Sequence, residues 1–448
     1  MIGSETALAR CHDLVELARK MGADQADAVA RASSSESVGV RLGALEEVER
    51  SESEEIGLRV FVGRRSASIS TSDFAPEGLQ MLAGRAVEMA RLAPEDAYGG
   101  LAPADALFAG DGVDLDLTDG AEPSPEELRE AALAAEDAAR AIAGVTNSNG
   151  GSASSSRSVF ALVTSSGFAR GHSGGSHTLS ASVVAGEGGD KQTDYAYRTQ
   201  RHRCDLPDPA DIGREAGERT VRKVGPGSIP SRKMPVVFDP RVGGGVLGHL
   251  LGAMAAPSIA RKASFLIGRE NEQLFDSTIK IVEEPHRLRG LRSRNYDGEG
   301  VASTPRALVE DGRIFGWLSN VSSAAQLELG LTGHASRGGG GSPGVAASNV
   351  FMEAGAPSVA ELIADIEDGL FVTDLFGQGV NLVTGDYSRG ASGFRIRNGE
   401  LADPVSEITI AGTLPDMFRA LIPANDLELV RGVDVPTFRI DGMAVAGQ

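Results

Sequence analysis

Cysteine is nearly absent from this 448-residue sequence, and its two examples, Cys11 and Cys204, are far apart with no metal-ligand or redox spacing. Neither a disulfide framework nor a zinc–cysteine cluster is indicated. Aromatic residues make up only 5% while glycines number 57, a mixture better suited to strands and tight turns than to a helix bundle. No apolar run reaches the roughly 18 residues of a membrane span. The opening Met1-Ile-Gly-Ser-Glu-Thr6 has neither the basic start nor the apolar stretch of a signal peptide, so a soluble, cytoplasmic chain with no membrane partner is expected. Positive charge is the other deficit: 43 Lys and Arg against 62 Asp and Glu leave a net charge of −19. Such a surface repels phosphate backbones, which argues against nucleic acid as a direct partner.

Paired metal ligands are missing as well. His12, His172, His177, His202, His249, His286 and His334 include no i, i+4 pair on a predicted helix. Two serines, Ser173 and Ser342, sit in G-x-S-x-G, yet neither has the strand–turn–helix context of a nucleophile elbow. Gly243, Gly245 and Gly248 match G-x-G-x-x-G between a strand and a helix, but the downstream pattern is antiparallel rather than repeated βαβ, so close backbone packing is the preferred explanation.

The chain is long enough for two cores. Residues 4–21 place Leu8, Cys11, Val15 and Ala18 at helical spacing, with Gly22 as a stop. Period-two runs around Val38–Leu42, Ile56–Val62 and Ala67–Thr71 predict an antiparallel meander. Helices are expected from Pro76, from the capping box Ser124-Pro-Glu-Glu127, and from Pro209 behind Asp208. The acidic run from Glu46 to Glu55 reads as a solvated loop, and His172 and His177 as loop residues between hairpin strands. Pro226 to Ser231 is the best boundary, giving an N-terminal α+β domain over 1–226 and a C-terminal domain over 227–448. The second is mainly antiparallel β with a few helices, including one that carries His249. The glycine-rich stretch from Ser336 to Gly344 reads as a mobile loop edging a cleft.

The run Gly377-Gln-Gly-Val-Asn-Leu-Val-Thr-Gly-Asp-Tyr-Ser-Arg-Gly-Ala-Ser-Gly-Phe394, with Pro404-Val-Ser-Glu-Ile-Thr-Ile-Ala-Gly412 and Asp416-Met-Phe418, closely resembles the PmbA (TldE) branch of the TldD/PmbA family. Further pieces of the resemblance lie at Ala260–Phe265, Asp297-Gly-Glu-Gly300, Leu318–Val321, Thr332–Ala335 and Ser348-Asn349. The resemblance implies a subunit that pairs with a TldD-like partner in a cytoplasmic metalloprotease, acting on peptides or unfolded chains inside an enclosed cavity.

In the TldD branch a helix bears H-E-x-x-x-H, and a later Cys completes a zinc site. Laid over this chain, the first His falls on His249, the Glu on Leu250 and the second His on Met254, and no Cys precedes the final strand. One imidazole cannot hold zinc tightly, and no base remains to activate water. The resemblance therefore implies no catalytic residue and no metal in this chain, with zinc in the partner. Candidate cleft-lining residues are His334, Arg337, Asn349, Ser388, Arg389 and Ser392. Two alternatives stay open: a stand-alone metallopeptidase using distant residues such as His172, His177, His249 and His334, and a homodimeric peptide-binding protein.

Overall fold

The computed structural model describes residues 1–447. Its first half begins with α1 (Ser4–Lys20), whose buried Ala7, Cys11, Leu14, Val15 and Ala18 form one stripe, and Gly22 ends it at a φ of +103°. There follow β1 (Gln25–Arg41), β2 (Ala44–Val62), β3 (Arg65–Thr71) and α2 (Pro76–Leu92). Then come α3 (Pro125–Arg140), β4 (Val145–Thr164), β5 (Ala169–Ala185), β6 (Gln192–Gln200) and α4 (Pro209–Arg222). The strands form one antiparallel sheet in the order β3-β2-β1-β4-β5-β6.

Alternation along β1 explains how this sheet is used. Ala26, Ala28, Ala30 and Ala32 pack under α1 and α2, and further along the same face Val38 and Val40 pack under α3 and α4. Small side chains let the helices settle close to the sheet. Successive residues point to opposite faces, so Asp27, Val29 and Arg31 look away from the helices, toward the second half of the chain.

That half starts with β7 (Arg232–Phe238) and α5 (Pro240–Ala253). β7 lies inside a second six-stranded sheet, parallel to the strand Asp368–Phe376 and antiparallel to Phe438–Ala446. The strands Asp386–Arg397 and Glu400–Thr413 form the hairpin expected around Asn398 and Gly399. A smaller five-stranded sheet includes Ile281–Glu283 and Arg306–Glu310. The whole is α+β.

Two expectations need correction. Glu46 to Glu55 is solvated, yet it is strand and not loop, paired in register with the serine-rich stretch of β1. β3 reaches only the Ile56–Val62 end of β2, so the acidic stretch is a free edge, where charge is tolerated and discourages unwanted pairing. His172 and His177 stand in β5, because Gly and Ser there are sheet residues at close backbone approaches. Gly339 and Gly340 are seated on the first sheet: an added Cβ on Gly57 would stand 1.7 Å from the Gly339 carbonyl oxygen, and one on Gly340 2.7 Å from Ser70 Oγ.

Candidate functional site

α5 begins where the Asp239 side chain accepts a hydrogen bond from the Arg241 amide at 2.8 Å, so its N-terminus is already capped by a carboxylate. Gly243 lies against Phe438, where an added Cβ would be 2.5 Å from a ring carbon. The buried stripe of α5 is Gly243, Val246, Leu247, Leu250 and Ala253. Leu250 and Met254 are both 0% exposed and belong to the core of the second half. His249 projects from a different side of the helix, its ring edge-on to Tyr387 with centroids 6.1 Å apart. Burial, with Arg389 nearby, pushes the pKa of His249 down.

This donor set does not fit a zinc ion. Leu250 offers no ligand atom or base, and Met254 is a thioether sealed in hydrocarbon. The other histidines lie elsewhere. His172 Nδ1 is 3.1 Å from Tyr296 Oη, His177 Nε2 is 3.1 Å from Asp119, and His334 Nε2 is 2.6 Å from Glu283. Among the described residues, the grouping of three ligand-type side chains is His202, Cys204 and Asp205, which includes none of these four. The distant-histidine alternative therefore has no geometry to support it.

His334 and Asn349 are buried and committed. Glu283 resists charge through burial, but hydrogen bonds from His334 and Ser348 hold its pKa below the usual value. A carboxylate only accepts, so the proton of that pair sits on His334 Nε2. The Asn349 carboxamide accepts from the Arg292 amide and donates to the Glu284 carbonyl and Ser293 Oγ. Ser388, Arg389 and Ser392 lie on the strand Asp386–Arg397. Arg389 donates to the Phe376 carbonyl, and Ser392 donates to Asp374.

Arg337 is placed differently. It lines a cleft of about 800 Å³ between the outward face of the first sheet and the segments 291–298, 335–337 and 346–347. The sheet contributes Arg31, Glu55, Phe160 and His172, which are cross-strand neighbours: Arg31 is opposite Glu55 on β2 and Phe160 on β4, and Phe160 is opposite His172 on β5. The facing wall contributes Arg292, Arg294 and Tyr296. Burial raises the Tyr296 phenol to about 12, so it stays neutral. Burial and then Arg201 lower the His172 pKa.

Beneath the cleft the halves are joined by an ion cluster. Arg59 donates to Asp27 through Nε at 2.9 Å and to Glu299 through Nη2 at 3.1 Å. The Asp27 carboxylate also accepts from Arg337 at 2.5 Å. Burial opposes charge on both guanidiniums, but Asp27 and Glu299 outweigh it at Arg59, whose pKa rises. At Arg337 burial prevails and the pKa falls. Arg31, Arg292 and Arg294 were not singled out by sequence reasoning. The available signal was local: Arg292-Ser-Arg294-x-Tyr296 alternates cations ahead of an aromatic residue.

Comparison with known proteins follows this architecture. Sequence profiles of the PmbA/TldA metallopeptidase family match residues 26–90 (domain 1), 118–224 (central domain) and 231–447 (C-terminal domain). The Metalloprotease PmbA of Escherichia coli O157:H7 is 38% identical over 414 residues, 92% of this chain and 90% of that one. The crystal structure of a Bacteroides thetaiotaomicron protein described as a candidate modulator of DNA gyrase superposes with a TM-score of 0.91 at 26% identity, covering 100% of both chains. TldE from Thermococcus kodakarensis shares the fold, with a TM-score of 0.86 at 20% identity over 98% of this chain and 100% of that one. The chain belongs to the PmbA/TldE family.

Proposed function

We propose that this chain is the non-metallated subunit of a peptide-processing metalloprotease, closing a cavity whose zinc and catalytic base are supplied by a TldD-like partner in the cytoplasm. The observation that carries this reading is the complete burial of Leu250 and Met254. The helix turns apolar side chains into the core at the two positions where a base and a second imidazole would be needed. The relatives' name, metalloprotease, supports a role in peptide hydrolysis. The cleft between the halves supplies a polar, partly aromatic wall for a peptide.

The test is to mix the purified chain with a TldD-like chain from the same genome and measure assembly mass by light scattering, with zinc analysis of each protein. A heteromeric complex, with zinc on the partner alone, is expected. Stable self-association without affinity for the partner would sink the reading. So would stoichiometric zinc on this chain that is lost in His249→Ala.

A further inference from the structure

The cleft above the ion cluster is anomalous in its charge. The chain carries a net charge of −19, and its arginines are mostly tied to carboxylates, yet three arginines that line this cleft are not. Among the described residues, Arg31, Arg292 and Arg294 have no carboxylate oxygen within 4.0 Å. Arg294 instead donates to the carbonyls of Gly333 and Ala346, at 3.3 and 2.7 Å, and to Ser303 Oγ. Those acceptors are neutral, and the nearby Glu283 and Asp297 carboxylates offset its charge only at a distance, without an ion pair. Arg31 and Arg292 are exposed to the cleft from opposite walls.

Of the two acids that line the cleft, Asp297 is committed. The Asp297 carboxylate accepts from the amides of Glu299, Val301 and Ala335 at 2.8 to 3.0 Å. Glu55, opposite Arg31 on β2, packs against Gly339, and its carboxylate has no hydrogen bond or ion pair among the described residues, the Arg31 guanidinium lying beyond 4.0 Å. Arg337, beneath the cleft, is paired with Asp27 in the ion cluster and adds no net charge, although its Nε and Nη1 are buried without hydrogen-bond partners. Guanidinium forks match carboxylate geometry and hold it with charge-assisted hydrogen bonds, and a low-dielectric cleft focuses their field.

We infer that this cleft binds a carboxylate carried by a peptide, held between Arg31 on the sheet and Arg292 on the facing wall, with Phe160 and Tyr296 against the adjoining side chain. The inference rests on the peptide-handling part of the proposed function and specifies which peptide group is recognised. Two sources share this chemistry: the main-chain terminus and an acidic side chain.

The experiment is fluorescence anisotropy of the full chain with a short, otherwise neutral peptide carrying an uncharged BODIPY dye, in three forms: free C-terminus, amidated C-terminus, and amidated with one internal glutamate. Amidation is expected to weaken binding at least about tenfold. Restoration by the internal glutamate would identify the site as a general carboxylate site, and failure to restore would identify it as specific for the terminus. In the double variant Arg31→Gln, Arg292→Gln the preference is expected to vanish with the melting temperature unchanged, since both side chains are exposed. Equal binding of the free and amidated peptides, no binding of any form, or a preference that survives in the double variant would overturn the assignment. A chain that assembles with its partner but shows no carboxylate preference loses only this assignment. A chain that shows the preference but forms no complex retains it, and loses the subunit reading instead.

Discussion

Arg337 and Asp27 are separated by 310 positions in the chain, yet the Arg337 guanidinium donates to the Asp27 carboxylate at 2.5 Å with its side chain wholly enclosed. Asp27 also receives Arg59, so one buried carboxylate holds two guanidiniums and, through Glu299, joins the sheet of the first half to the second.

Removing that carboxylate strands two buried cations. Asp27→Ala is expected to lower stability by about 3–5 kcal/mol, measured by denaturant unfolding. Arg31→Gln, an exposed neighbour on the same strand, serves as the control, with a change below about 0.5 kcal/mol. Equal effects of the two would show that the cluster holds nothing together.

Leu250 is core, so Leu250→Ala should cost about 2–5 kcal/mol. Installing the missing motif by Leu250→Glu with Met254→His places a charge and a ring in packed hydrocarbon. The expected result is loss of folded, soluble protein rather than zinc uptake, read by circular dichroism and metal content. A folded double variant with stoichiometric zinc would contradict the packing argument. His249→Ala, on the half-buried side of the helix, should stay within about 1 kcal/mol.

Asp297 gives a pH dependence of unusual sign. Burial raises its pKa to about 6 despite hydrogen bonds from the Glu299 and Ala335 amides, with the Glu299 carboxylate adding to the rise. The folded state therefore holds the proton more tightly than the unfolded chain, whose carboxyl titrates near 3.8. The contribution is fully present below about pH 4 and is lost as pH rises through about 6, at most about 3 kcal/mol. Comparing wild type with Asp297→Asn by urea unfolding from pH 4 to pH 7 should show wild type losing ground to the variant across that window. Parallel curves would refute the shift.

Gly57→Ala should pry the glycine-rich segment off the sheet. The new Cβ would meet the Gly339 carbonyl, which is backbone and cannot rotate aside. A loss of about 1–3 kcal/mol is expected, together with faster hydrogen exchange at Gly338 to Gly341. Unchanged exchange would mean the segment is held elsewhere.

Much of the fold was legible because its signals are local. The stripe in α1, the Ser124–Glu127 capping box, the turns at Gly63 and Asn398-Gly399 and the alternation from Ile56 to Val62 each need only a few adjacent residues. The acidic part of β2 and the Gly/Ser part of β5 were misread for the complementary reason. Their strand character depends on partners many positions away, and their composition imitates loops.

The sequence by itself determined that this is an α+β chain of the PmbA/TldE family and that the helix of His249 lacks a base and a second imidazole, since residue identity alone decides which ligand atoms exist. The tertiary structure decided the rest. It sealed Leu250 and Met254 in the core, kept His172, His177, His249 and His334 apart, and brought Arg31 and Arg292 to one cleft from segments far apart in the chain. Register and domain packing set those distances, and neither is encoded in any short stretch of residues.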